Sequence, residues 1–258
     1  EIGKNMTAVE YRGKIVVLDC GVEFPRDEML GIDLIIPDIR WLLGRRDDVL
    51  AFVITHGHED HQGALPFVLK QLNKPVYGSR FTLALIKSKL DEHGLLKVVD
   101  LNEVSESTKL RLGPFDLSFV AVSHSVPDAL SIVLGTELGA VVLTGDYKFD
   151  HTPIDGRITD VNTFAQLGQQ GVLALLADST NAETPGSTAS ESIVGQAFHQ
   201  IFAEAEGRVI VACFASHIHR VQQAIQIADL HGRKFAVSGR SMQKNVNIAR
   251  NLGYLQVP

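Results

Sequence analysis

The stretch His56-Gly57-His58-Glu59-Asp60-His61 gathers three imidazoles and two carboxylates within six consecutive residues. Neutral imidazole and carboxylate are the donors that borderline divalent ions prefer, and zinc, with bonds of roughly 2.0 to 2.2 Å to either, is the first candidate. The spacing matters as much as the residue types. His56 and His58 lie two apart and project to one side of an extended turn, while Asp60 and the adjacent His61 face a second position. One loop can thus serve two ions. A polar surface loop has no reason to concentrate donors in this way.

Regular elements flank the loop. The apolar run Leu50-Ala51-Phe52-Val53-Ile54 reads as a buried strand, and Gly63-Ala64-Leu65-Pro66-Phe67-Val68-Leu69 reads as a helix. Three further candidates stand at other predicted strand ends. Asp19 closes Lys14-Ile15-Val16-Val17-Leu18, His124 follows Leu117-Val122, and Asp146 follows Val141-Val142-Leu143-Thr144-Gly145. Singly, each has a plainer explanation: a turn histidine held by ordinary hydrogen bonds, or an aspartate capping a turn. Their joint placement at strand ends is what points to a site.

Thr55-His56-Gly57-His58-Glu59-Asp60-His61 resembles the HxHxDH signature of the metallo-β-lactamase superfamily, and Asp19, His124 and Asp146 follow the superfamily order. The resemblance implies that His56, His58 and His124 hold one zinc ion, Asp60 and His61 hold the other, and Asp146 bridges them. Asp19 would brace the loop. Two zinc ions about 3.5 to 4 Å apart share a hydroxide, bring its pKa toward neutrality and stabilise charge in an in-line displacement, which is hydrolytic chemistry. Asp60 and Asp146 would position that hydroxide. Two dications set against Asp60, Asp146 and the hydroxide leave a single positive charge, which suits an anionic substrate such as a phosphodiester.

Length and composition set the limits. With 258 residues and 45% hydrophobic content, the chain can bury a sizeable core as one large domain or two smaller ones. No apolar run approaches the 18 or more residues of a membrane span, and Glu1-Ile2-Gly3-Lys4-Asn5-Met6 is not a signal peptide, so a cytoplasmic location without membrane association is expected. Cys20 and Cys213 make neither a disulfide framework nor a thiolate zinc site. The net charge of -6 is unevenly spread: from Gly207 onward Arg208, Arg220, Arg233, Lys234, Arg240, Lys244 and Arg250 face the single acid Asp229, leaving +6 there and -12 in residues 1–206. A basic segment joined to an acidic one suggests a nucleic-acid face, although solvated helix surfaces give the same pattern.

The periodicity predicts strands near residues 7–11, 14–19, 51–54, 75–77, 97–101, 109–112, 117–122, 131–135 and 141–144, and helices over 65–72, 81–93 and 162–167. A buried strand is expected at 171–177. The pattern agrees with an α/β fold of two sheets between helices, the αββα sandwich. The polar stretch Ser179-Thr180-Asn181-Ala182-Glu183-Thr184-Pro185-Gly186-Ser187-Thr188 marks a boundary, placing a metallo-β-lactamase domain at 1–188 and a second unit at 189–258. In the second unit, helices at 191–206, 218–230 and 242–252 alternate with strands at 209–213 and 234–237, which predicts a parallel sheet.

Leu176-Ala177-Asp178-Ser179-Thr180-Asn181-Ala182-Glu183, Cys213-Phe214-Ala215-Ser216-His217-Ile218-His219-Arg220-Val221-Gln222-Gln223 and Val237-Ser238-Gly239-Arg240-Ser241-Met242 resemble the β-CASP branch of the superfamily, most closely the bacterial ribonuclease J family. The likeness runs through nearly the whole chain. It implies a zinc-dependent ribonuclease acting as both 5′-to-3′ exonuclease and endonuclease on RNA, assembled as a homodimer or homotetramer. Asp178 would orient the metal-binding histidines, and Ser216, His217, Arg220 and Arg240 would contact RNA phosphates. In that family the β-CASP domain is an insertion, followed by a return to the first fold with two more histidines. Read this way, the chain is a fragment that lacks the first strand and that return. Its second zinc site is then incomplete and its activity reduced. His199, His217, His219 and His231 are not expected to substitute as ligands. The competing readings on the same fold are a thioesterase or lactonase acting on small substrates, a flavodiiron oxidoreductase, which would carry Glu in place of His58, and an inactive scaffold subunit.

Overall fold

The computed structural model describes residues 3–258. Two five-stranded sheets lie face to face. The first consists of β1 (Thr7–Tyr11), β2 (Lys14–Leu18), β3 (Val49–Val53), β4 (Val76–Gly78) and β5 (Leu101–Glu103), paired in that order. The second runs β10 (Val172–Leu176), β9 (Gly139–Leu143), β8 (Leu130–Thr136), β7 (Phe115–Ala121), β6 (Lys109–Leu112). Helices α1 (Arg40–Leu43), α2 (Glu59–Gln62), α3 (Leu65–Leu69), α4 (Arg80–Glu92) and α5 (Val161–Gln170) accompany the sheets, and α6 (Ser192–Glu204), α7 (Ile218–Leu230) and α8 (Arg240–Leu252) follow.

The layers follow from the two-residue period of the strands. In β2, Val16 and Leu18 face the second sheet and pack with Phe115, Leu117, Phe119, Ile132 and Leu134. Ile15 and Val17, on the opposite face, pack with Leu65 and Val68 of α3 and with Leu83, Ile86 and Leu90 of α4. A strand buried on both faces reads as a continuous apolar run, as Lys14–Leu18 does after its first residue. Outside the second sheet, Val120, Val133 and Val142 meet Phe164 and Leu167 of α5. The expected αββα sandwich is therefore what the chain forms.

β2, β3 and β4 are parallel, with Leu18 opposite Val53 and Val53 opposite Tyr77. Their C-terminal ends arrive at one edge of the sheet, where the candidate loop begins. The segment after β2 then runs beside the loop main chain to main chain: Cys20 N donates to His61 O at 2.7 Å, Val22 N to Glu59 O at 3.0 Å, and Ala64 N to Cys20 O at 2.9 Å. Gly21 sits inside this contact. A Cβ there would lie 1.5 Å from the Asp60 carbonyl oxygen.

Four expectations need correction. The donor loop is partly helical, since Asp60 and His61 sit on α2. The predicted strand near 97–101 forms later, as Leu101–Glu103, because residues 95–98 close a turn whose amides donate back along the chain. The strand expected to be buried at 171–177 is β10, and its Leu173 and Leu175 are 58% and 62% exposed. It pairs with β9 alone, and among the described residues only its last, Leu176, packs on the core between the sheets. The strands expected at 209–213 and 234–237 are absent, and no parallel sheet is found in the second unit among the described residues. Both segments lack regular structure and no strand pairs with them, and a ladder requires a neighbour. The second unit is instead a set of helices in which Ile218, Val221 and Ile225 of α7 and Val246 and Ala249 of α8 pack on Phe81 and Leu85 of α4.

Gly21→Ala is expected to lower stability by about 3 kcal/mol or more, because backbone rather than a flexible side chain blocks the added methyl group. Urea unfolding followed by circular dichroism measures the loss, and a change under about 0.5 kcal/mol would show that the contact is loose.

Candidate metal centre

The site begins at Asp19, where β2 ends. Its carboxylate is buried and accepts from Thr55 N at 2.8 Å, from Thr55 Oγ1 at 3.0 Å and from His61 Nδ1 at 2.8 Å. The Thr55 hydroxyl hydrogen is thus committed to Asp19, so its oxygen accepts from His56 Nδ1 at 3.0 Å. These bonds leave His56 Nε2 and His61 Nε2 pointing into the site. His58 Nε2 donates to Ser125 Oγ at 3.3 Å, which leaves Nδ1 inward. Such outer hydrogen bonds fix the tautomer of a ligand histidine.

His124, after β7, and Asp146, after β9, complete the cluster. His58 Nδ1 stands 3.1 Å from both His56 Nε2 and His124 Nε2. Asp146 Oδ2 lies 3.9 Å from His56 Nε2 and 3.7 Å from His124 Nε2. Donors bonded tetrahedrally at roughly 2.0 to 2.1 Å stand about 3.3 Å apart, close to these separations, so the four side chains fit one ion. The other oxygen of Asp146 turns toward the second half of the cluster. Asp146 Oδ1 is 3.2 Å and Asp60 Oδ2 is 3.6 Å from His61 Nε2. The groups His56, His58, His124, Asp146 and Asp60, His61, Asp146 therefore share one carboxylate. Gly145 permits this approach. It has φ +59°, and a Cβ there would meet Thr55 Cβ at 2.8 Å.

The two halves differ electrostatically. Burial, reinforced by His61, His124 and His58, holds the His56 pKa well below its ordinary value. Burial, with His124 and His61, lowers His58 to about 3, and burial lowers His124 to about 4 against the pull of Asp146. Near neutral pH these three rings are uncharged and offer lone pairs. Burial also opposes charge on His61, but Asp19 and Asp146 outweigh it and raise its pKa well above the ordinary value. Asp146 is brought down to about 2: burial works against its charge, and the hydrogen bond from His61 with the nearby His124 and His58 prevails. Burial raises Asp60. One half is a set of neutral imidazoles, the other an ion pair beside a carboxylate. A cleft of about 490 Å³, lined by Asp60, His61, Asp146 and Asp178 among others, opens onto the second half.

Other expected residues lie elsewhere. Asp178 accepts from Thr180 N at 2.9 Å and Thr180 Oγ1 at 2.7 Å, while its own amide donates to Thr144 Oγ1 at 2.9 Å. Its carboxylate closes a turn rather than bonding to a histidine. His217 caps α7, its Nδ1 accepting from Arg220 N at 3.2 Å, and Arg220 Nε donates to Glu191 at 2.6 Å. Ser216 is half-buried before that helix, and Arg240 is exposed at the start of α8. His199 and His231 contact each other at 2.6 Å, away from the cluster. Residues without a recognisable motif reach the site as well. Asn5 Nδ2 donates to Asp60 Oδ2 at 3.4 Å and lies 3.1 Å from His61 Nε2, and His219 Nδ1 donates to the His124 carbonyl oxygen at 3.1 Å. An isolated asparagine near the start of the chain carries no pattern, and His219, not expected as a ligand, reaches the site through the backbone of His124.

Residues 2–186 match the family model described as the Metallo-beta-lactamase superfamily. The chain belongs to that superfamily. Its residues 206–258 match the model described as Ribonuclease J, beta-CASP domain. Across all 258 residues this superfamily member is 47% identical to Ribonuclease J 1 of Streptococcus pyogenes serotype M3 and 50% identical to Ribonuclease J of Mycobacterium tuberculosis. It spans 46% of the length of each. The likeness to ribonuclease J expected from the motifs thus holds over the whole chain. A crystal structure of a protein of unknown function from Enterococcus faecalis V583 shares the fold, with TM-score 0.62 and 16% identity over 93% of this chain and 68% of that one. A His/Asp cluster whose donors are placed as a metal ion would require, on a metallo-β-lactamase fold, is the result.

Asp19→Asn keeps the shape but removes the charge and turns an amide hydrogen toward a donor. It is expected to cost about 1 to 3 kcal/mol in chemical denaturation. A variant as stable as the parent would show that Asp19 does not brace the loop.

Proposed function

We propose that this chain is the metal-binding portion of a zinc-dependent ribonuclease that hydrolyses RNA phosphodiesters. The single observation that carries the reading is the shared carboxylate of Asp146, which joins two donor groups in a chain whose relatives are named Ribonuclease J. Zinc suits the donor set, since three imidazoles and a carboxylate are borderline ligands and no thiolate takes part. His56, His58, His124 and Asp146 would hold the first ion, and Asp60, His61 and Asp146 the second. With fewer imidazoles, and with His61 giving up a proton before it can bind, the second position would be the weaker. When bound, such ions supply Lewis acidity and lower the pKa of a coordinated water toward neutrality.

The residues of the chain do the positioning. Asp19 sets the direction of His61 and, through Thr55, of His56. Asp60 and Asp146 direct the attacking water at the scissile phosphate, and Asn5 steadies Asp60. Asp178 lies at the edge of the cleft and supports the site through the field it adds at His124. Ser216, His217, Arg220 and Arg240 are proposed RNA contacts. Arg240 is exposed, whereas His217 and Arg220 would first have to leave Glu191. The basic balance of residues 207–258 favours a polyanionic substrate. A domain division at 1–188 and 189–258, exonucleolytic as well as endonucleolytic cleavage, a homodimer or homotetramer and a cytoplasmic location complete the proposal. No helix among the described residues is long and apolar enough to cross a membrane.

Zinc titration of this chain against a chromophoric chelator is expected to show a tight ion lost in His58→Ala and a weaker one lost in His61→Ala. A single ion indifferent to His61→Ala would remove the dinuclear reading. In a protein containing this chain, Asp146→Asn is expected to slow hydrolysis of single-stranded RNA by about a hundredfold or more. Unchanged RNA turnover, or turnover of thioesters in place of RNA, would overturn the ribonuclease assignment.

A further inference from the structure

His219 lies on the first turn of α7 and is only 7% exposed. Its ring is held through Nδ1, 3.1 Å from the carbonyl oxygen of His124, while Nε2 lies 3.3 Å from Asp155 Oδ2 without the geometry of a hydrogen bond. A carbonyl oxygen can only accept, so Nδ1 carries the hydrogen. This contact joins a helix more than ninety residues downstream to the backbone of a metal-cluster residue.

The loop 123–129 that carries His124 is gripped at further points. Ser123 N donates to Thr159 Oγ1 at 3.0 Å, and Val126 is buried with Ile218, Val221 and Ile225 of α7. Asp128 has φ +57° and accepts from Arg157 Nη1 at 3.0 Å and from the hydroxyl of Tyr254. The remaining end is tied to the cluster by Leu130 N, which donates to Thr55 O at 3.0 Å. Of these grips, His219 is the one that acts on His124 itself. Through that carbonyl it fixes the peptide from which the imidazole projects, and a shift of the peptide carries His124 Nε2 away from its 3.1 Å approach to His58.

We propose that His219 is a positioning residue for the metal ligand His124, so that α7 and the residues after it form part of the first metal position. The inference rests on the metal reading given above and adds to it a residue outside both donor groups. The helix then does more than pack on its apolar neighbours. Its docking sets how well three imidazoles converge, and metal affinity and the packing of residues 218–255 become one coupled property.

Cobalt(II) titration of the 258-residue chain, followed by visible absorption, tests the assignment, because d–d bands report ligand geometry where thermal stability does not. His219→Leu removes the donor and keeps the volume, whereas His219→Asn returns a donor close to the place of Nδ1. Affinity at the first position is expected to fall about tenfold in His219→Leu with a shifted band, and to return to within about threefold of the parent in His219→Asn. Tyr254→Phe, which frees the same loop at Asp128, is expected to weaken cobalt binding in the same direction, and it carries the test if His219→Leu does not fold by circular dichroism. Cobalt affinity and spectrum that match the parent in the folded His219→Leu variant, or in Tyr254→Phe if that variant stands in for it, would overturn the inference while leaving the metal reading intact. Failure of the parent chain to take up cobalt would instead remove the metal reading, and this inference with it.

Discussion

A carboxylate buried where two parallel strands end is the constraint on which this site depends. A buried negative charge is costly unless donors surround it, and Asp19 collects three of them, from Thr55 and His61. Parallel pairing of β2 and β3 makes this possible, because Leu18 and Val53 are opposite and both chains leave the sheet at the same level. Asp19 itself adopts φ +58°, a region that aspartate and asparagine tolerate better than other side-chain-bearing residues. Backbone geometry and charge therefore make separate demands at one position, and aspartate meets both. From there the hydroxyl of Thr55 passes the constraint on to His56.

Much of this was legible in the order of residues. Three imidazoles and two carboxylates in one short loop announce metal chemistry without any knowledge of the fold, and His124 and Asp146 are distinguished by following apolar runs that end abruptly. The alternation of Ile15 and Val17 with Val16 and Leu18 is hidden, since both faces are apolar, yet the run still reads as a strand. What the order of residues cannot convey is which distant segments meet. Asn5 reaches Asp60 only because the chain ahead of β1 lies beside the loop, its own amide donating to Asp60 O. His219 is buried because the start of α7 docks on the loop that carries His124, a contact between elements far apart in sequence.

The segments 209–213 and 234–237 stay out of strands for one physical reason. Residues 209–213 and 234–237 have the composition of strands, but β propensity describes how well a residue suits a pleated, half-buried surface, and the surface must be supplied by a partner. β10 illustrates the converse. Its apolar run does form a strand, on the edge of β9, yet hydrophobicity alone does not determine what covers its outer face.

The close approaches at Gly21 and Gly145 have a consequence for how donors are held. Main chain lies directly against main chain where Gly21 meets Asp60, and against the Thr55 side chain where Gly145 precedes Asp146, so the backbone that carries both aspartates is located by the framework. Little configurational freedom is left for the cluster to surrender when an ion arrives, and preorganisation of this kind strengthens capture without adding a single contact. The same rigidity slows escape, since donors that cannot swing aside must let go together.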